Sequence, residues 1–112
     1  MKEATLHFAT TKEEAISVLQ TEMPKLQREF GITRMALFGS FAEGNPTESS
    51  DVDLIVESSQ SLGLKFFELS DYLSDSLGRK IDLVTFHQLK ESMNKPRYKK
   101  IAENVERTLL YV

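Results

Sequence analysis

No cysteine occurs in the 112-residue chain, which excludes a disulfide framework, thiolate metal sites and cysteine nucleophiles, and fits a reducing compartment. Glycine and proline are sparse, at five and three residues, so collagen-like repeats and a low-complexity disordered chain are excluded as well. No apolar stretch reaches the roughly 18 residues that a membrane span needs, and the opening MKEATLHFATTKEEA lacks the apolar core of a signal peptide. A cytoplasmic protein with no membrane attachment is the expectation. Positive charge is also in short supply: 14 basic against 17 acidic residues leave a formal charge of −3. The overall field therefore disfavours nucleic acid, and direct nucleic-acid binding is not expected.

What is present is a core. Apolar residues make up 40% of the chain, with no internal repeat or linker-like stretch, so residues 1–112 read as one domain. Thr11 followed by Glu14 resembles a capping box, and Ile16, Leu19, Met23, Leu26 and Phe30 then recur at helical spacing up to a stop at Gly31. Pro24 is expected to kink that helix or to start a second one. Met35–Phe38 reads as a buried strand ending at Gly39, followed by a possible short helix from Ser40 to Glu43. Residues Glu43 to Ser50, with Asn45-Pro46, read as a loop. Asp51–Glu57 is a second strand, and Leu62, Phe66, Leu69, Leu73 and Leu77 mark a helix closed by Gly78. Lys80–Phe86 is a third strand, and a last helix begins near Pro96, with Ile101, Val105 and Leu109 on its apolar side. This order predicts an α/β (α+β) fold, a small mixed β-sheet flanked by helices.

The chemistry-bearing residues interrupt that core pattern. Asp51 and Asp53 are one position apart on an otherwise apolar strand, so alternation turns both to one side while Val52 and Leu54 turn to the other. Two carboxylates so close resist joint ionisation unless a cation lies between them. Oxygen-only donors suit Mg²⁺, which is held by one or two carboxylates together with substrate phosphates. Asp82 is a third strand carboxylate; if its strand lies beside the second, all three acids converge at one sheet edge. Gly39 lets backbone approach a ligand closely, and Ser40 adds a hydroxyl and an N–H, a turn that suits a phosphate. Taken singly, the acid pair also reads as a solvated strand face and the Gly39-Ser40 pair as a tight turn.

Together the residues resemble a known pattern. GSFAEGNPTESSDVD fits the G-S-x10-D-x-D signature of the DNA polymerase beta-like nucleotidyltransferase superfamily, with LFGS before it and KIDLVT after it. Within that superfamily the chain, from about Pro24 to its end, is most similar to minimal nucleotidyltransferases (MNT), the antitoxins of HEPN/MNT toxin–antitoxin modules. The resemblance implies that Gly39 and Ser40 bind a triphosphate, that Asp51 and Asp53 ligate two Mg²⁺ ions, and that Asp82 completes the metal site and activates the acceptor hydroxyl. It further implies ATP as donor, transfer of AMP to a tyrosine of a partner HEPN ribonuclease toxin, and a hetero-oligomer with that toxin. One departure is Glu43, which stands where many relatives have an arginine and replaces a phosphate-facing cation by an anion. It motivates one rival, an antitoxin of weak catalysis that acts by binding its toxin; the catalytic subunit of a two-part small-molecule nucleotidyltransferase stays open beside it.

Other polar and aromatic groups have plainer expectations. His7 and His87 lack ligand-like spacing, and Lys95, Arg97, Lys99 and Lys100 read as a solvated face at the start of the last helix. Phe66, Phe67 and Tyr72 read as core and edge packing.

Overall fold

The computed structural model describes residues 9–44 and 50–112, so His7 and Asn45-Pro46 lie outside the described residues. The first helix, α1 (Lys12–Phe30), opens on Thr11, whose hydroxyl accepts the Glu14 N–H at 3.1 Å. The reciprocal half of the capping box is displaced by one residue: the Glu14 carboxylate accepts from the N–H and hydroxyl of Thr10, at 2.7 and 2.6 Å. Pro24 neither ends nor restarts α1. It lies with Gln20 on the exposed face, so the carbonyl four residues upstream that loses its partner is on the side that water reaches. Gly31 closes the helix at φ 68° and donates its N–H to the Gln27 carbonyl, a left-handed cap that a β-carbon would strain.

The chain continues through β1 (Ile32–Phe38), α2 (Gly39–Glu43), β2 (Val52–Ser58), α3 (Lys65–Leu77), β3 (Ile81–Thr85), α4 (Phe86–Met93), α5 (Pro96–Arg107) and β4 (Leu110–Tyr111). The sheet order is β3-β2-β1-β4, with β1 antiparallel to β2 and β4, and β2 parallel to β3. This is the mixed sheet flanked by helices that the apolar pattern predicts. One face of it presents Met35, Leu37, Val52, Leu54, Val56 and Leu83 to Leu19 and Leu26 of α1 and to Leu69, Leu73 and Leu77 of α3, all in one buried cluster with Phe41. Each such side chain contributes about 1.5–3 kcal/mol by leaving water. The polar edge of α3 is tied to α1 as well, for Tyr72 donates its hydroxyl to Glu22 and lies under the Lys25 ammonium. That hydrogen bond, made by the protonated phenol, raises the Tyr72 pKa.

The opposite face carries the candidate residues Asp53 and Asp82. Register places Arg34 opposite Glu57, Ala36 opposite Ile55 and Phe38 opposite Asp53, so these six residues share it. Helix α4 packs against β2 and β3 and against α5, and its first residue, Phe86, receives the Arg34 guanidinium over its ring at 3.8 Å. Among the described residues no helix is long and apolar enough to cross a membrane.

Four differences from the sequence reading have physical causes. Asp51 precedes β2 by one residue, because the pairing with β3 begins at Val52. The third strand stops at Thr85 and not at Phe86, since Thr85 and Gln88 form a reciprocal capping box, at 3.1 and 2.9 Å, that opens α4. In α5 the buried residue is Ala102, while Ile101 is 64% exposed. A strict four-residue ladder drifts around a helix of 3.6 residues per turn, so Ala102 and Val105, three apart, mark the inner side, and Leu109 falls beyond the end of the helix at Arg107. Finally, β4 adds a short antiparallel partner to β1 that no periodicity announces.

Candidate active site

Because β2 runs antiparallel to β1 and parallel to β3, the last residue of β1 and the first residues of β2 and β3 meet at the same end of the sheet. Asp53 and Asp82 are direct register partners there. They come from segments 29 residues apart in sequence (82 minus 53). Asp51 lies just outside the sheet, two residues before Asp53. Asp51 and Asp53 are half-buried, while Asp82, on the edge strand, is exposed.

The turn after β1 is pressed against the same carboxylate. Gly39 has φ 72°, and a β-carbon built on it would stand 2.1 Å from Asp53 Oδ2 and 3.0 Å from Asp53 Cγ. Glycine is required here twice over, by the left-handed backbone and by the missing volume. Ser40 follows in the first turn of α2, half-buried, and Glu43 closes that helix in an exposed position.

Electrostatics agree with the geometry. Removal from water, the charge of Asp82 and the charge of Asp51, together with a hydrogen bond to Asp82, push the Asp53 carboxyl from 3.8 up to about 6. The acids therefore lie close enough to feel one another, and sharing a proton relieves the repulsion between Asp53 and Asp82. Among the described residues no group of three or more Asp, Glu, His or Cys side chains closes into a metal cage. Mg²⁺ does not need one: one or two carboxylates suffice when substrate phosphates and water complete the octahedron. An acid pair that presents only oxygen and carries excess negative potential fits that ion, and the chain has no cysteine to offer zinc.

The remaining candidates fall elsewhere. His87 sits on α4, beyond the end of β3 opposite Asp82, exposed and paired with Glu91 at 3.3 Å. Lys95, Arg97, Lys99 and Lys100 are all exposed. Phe66 packs against the core, whereas Phe67 is 66% exposed. A groove of about 1170 Å³ at the far end of the strands is lined by Arg34, Glu57, Phe66, Phe86 and Lys90 among others, but by none of the three aspartates. Its place in the fold separates it from the acidic site. One residue at the site escaped the sequence reading: Arg79, between α3 and β3, donates to the carbonyls of Ala9 and Ser50 and lies over the Phe41 ring at 5.1 Å. Nothing local marks it, since all three partners are distant in sequence.

A Gly-Ser turn against a strand aspartate, a second acid two residues earlier and a third on the neighbouring strand make up the candidate site. The chain belongs to the nucleotidyltransferase domain family, which it matches over residues 21–108, and it is an enzyme of that class. It is 37% identical over 103 residues to the protein adenylyltransferase MntA of Thermococcus cleftensis, covering 91% of this chain and 96% of that protein. A Methanocaldococcus jannaschii protein, provisionally named a protein adenylyltransferase, is 40% identical over 103 residues, covering 91% of this chain and 98% of the relative. Among solved structures, one provisionally named a minimal nucleotidyltransferase superposes with a TM-score of 0.65 at 28% identity, over 90% of this chain and 95% of that one. A toxin–antitoxin MntA structure shares the fold at TM-score 0.57 and 20% identity, over 93% of this chain and 72% of that one.

Proposed function

We propose that this chain transfers AMP from ATP to a tyrosine hydroxyl of a HEPN-type ribonuclease toxin and so acts as its antitoxin. The observation that carries the reading is the in-register pair Asp53 and Asp82 with Gly39 against the Asp53 carboxylate. Similarity to proteins named adenylyltransferases supports AMP as the transferred group, and the G-S-x10-D-x-D motif carries the assignment of individual roles. Mg²⁺ held by Asp51, Asp53 and Asp82 would neutralise the triphosphate and stabilise the attacking and leaving oxygens of an in-line displacement. Gly39 lets the turn press directly against the Asp53 carboxylate, and the Ser40 hydroxyl and N–H beside it would orient a phosphate. The acceptor oxygen bonds to the α-phosphorus, the α–β bridging bond breaks and pyrophosphate departs, while the hydroxyl proton passes to the Asp82 carboxylate. Asp82 suits that role because its exposure on an edge strand lets a group from another molecule reach it.

Incubation with labelled ATP, Mg²⁺ and the product of the adjacent reading frame is expected to label that product, and Asp53→Ala is expected to abolish the label. Absence of label with the unaltered chain would overturn the reading. Glu43 favours a second one, neutralisation by binding alone, because an exposed anion at the end of α2 opposes triphosphate. The double variant Asp51→Ala, Asp53→Ala separates the two: protection that survives it supports occlusion, and protection lost with partner binding intact supports transfer.

A further inference from the structure

We infer that Arg79 is a positioning residue for nucleotidyl transfer, clamping the segment around Asp51 so that its carboxylate meets Asp53 beside the Gly39–Ser40 turn. The inference rests on Asp51 being a metal ligand, as proposed above. Its ground is a bracket of two hydrogen bonds. On one side of Asp51, the Arg79 guanidinium donates from Nη1 to the Ser50 carbonyl at 3.2 Å. On the other, the Val52 N–H donates to the Lys80 carbonyl at 2.9 Å. Two consecutive residues, Arg79 and Lys80, therefore hold the two residues that flank Asp51.

The same guanidinium reaches the other half of the site. It lies over the ring of Phe41, which is fully buried in α2 between the Gly39–Ser40 turn and Glu43. Phe41 and Ser50 stand on either side of the segment that joins the turn to Asp51, and Arg79 touches both. It also donates from Nε to the Ala9 carbonyl, just ahead of α1. A planar guanidinium can serve two carbonyls from different nitrogens, in fixed directions, while lying over a ring, a spread that the single nitrogen of an ammonium does not span.

The anchor itself is fixed. Arg79 follows Gly78, the left-handed cap of α3, and its own backbone is tied to Ser74: its N–H donates to the Ser74 carbonyl at 3.3 Å, and its carbonyl accepts the Ser74 hydroxyl at 2.7 Å. The side chain thus starts from a rigid helix end, and its distal atoms are spread over three separate segments. Asp51 has no ladder of its own to hold it, since β2 begins one residue later. A ligand on such a segment depends on its neighbours for position, and a misplacement of about 1 Å can lower a rate on the order of 100-fold.

The test compares Arg79→Lys and Arg79→Met with the unaltered chain by three measurements. These are the Mg²⁺ dependence of AMP transfer, amide hydrogen exchange at residues 50–53, and thermal unfolding. The expected result is a half-saturating Mg²⁺ concentration raised about tenfold or more in both variants, with the rate at saturating Mg²⁺ lowered less, and exchange at 50–53 accelerated about tenfold while Leu54–Val56 are unchanged. Arg79→Lys keeps the charge and the aliphatic stem, so failure of lysine to restore the Mg²⁺ dependence separates positioning from simple charge. Unchanged exchange at 50–53 in a folded variant would overturn the inference, as would an unchanged Mg²⁺ dependence where the parent chain is active. If Arg79→Met does not fold, Arg79→Lys alone decides between these outcomes. Should the parent chain transfer no AMP, the proposed function fails, and the exchange measurement still decides whether Arg79 holds the segment.

Discussion

Replacing Asp53 by asparagine is expected to stabilise the protein at neutral pH while destroying its activity. The carboxyl titrates at about 6 in the folded chain against 3.8 in its ordinary surroundings. That difference corresponds to about 3 kcal/mol of disfavoured ionisation, and because the group is only half-buried, solvent screening brings the net penalty to about 1–2 kcal/mol. Asparagine keeps the shape and can donate to Asp82 without a charge. The sign follows from proton counting. Below 3.8 the carboxyl is protonated in folded and unfolded chains alike, and the penalty is absent. Between 3.8 and about 6 the unfolded chain releases the proton first, so wild-type stability falls as pH rises. Above 6 the full penalty is present. Calorimetric unfolding from pH 4 to 8 in the presence of a chelator should therefore show wild type and Asp53→Asn converging at the acid end, and the variant melting roughly 5 °C higher at pH 7.5. Added Mg²⁺ should then raise the wild-type midpoint at pH 7.5 and leave the variant unmoved. A melting difference that is constant with pH, or that favours wild type at pH 7.5, would refute the claim that three acids crowd one another here.

Three further substitutions test other parts of the site. Gly39→Ala places a β-carbon 2.1 Å from Asp53 Oδ2 at a positive φ; the backbone costs about 1 kcal/mol, the carboxylate must swing away, and transfer assayed with labelled ATP should fall at least about tenfold in a chain whose circular dichroism is unchanged. Glu43→Arg, at an exposed position, should leave the melting curve within about 0.5 kcal/mol and tighten ATP binding, measured by calorimetry with Mg²⁺, by roughly three- to tenfold. Phe41→Ala empties a fully buried site under Arg79 and should cost about 3–5 kcal/mol in denaturant unfolding.

How far the molecule was legible in its sequence depended on the range of the forces involved. Local signals carried well: the Thr11 cap, the left-handed stops at Gly31 and Gly78 and the apolar side of α3 depend on neighbours within one or two turns. The Gly39, Asp51 and Asp53 pattern was readable because its spacing within one stretch is fixed by the strand and the turn. Thr85-Phe86 was harder, since a residue that continues an apolar alternation was taken over by a capping box, and both patterns are present in the same letters. The two-residue β4 has too little length for any period to show, and its partner β1 lies far upstream. Arg79 was illegible for the same reason carried further: its side chain reaches Ala9, Phe41 and Ser50, none of which is its neighbour in sequence.

The outermost place of β3 has a consequence for how such a protein fails. Among the described residues it is hydrogen-bonded on one flank only, to β2, and it carries Asp82. Strands at a border open more readily than those enclosed on both sides. Warming should therefore loosen the lane that bears Asp82 before Leu37 and Leu54 lose their packing, so that, on the proposed role of that carboxylate, catalysis fades several degrees before bulk melting and returns on cooling without the delay of refolding a whole chain.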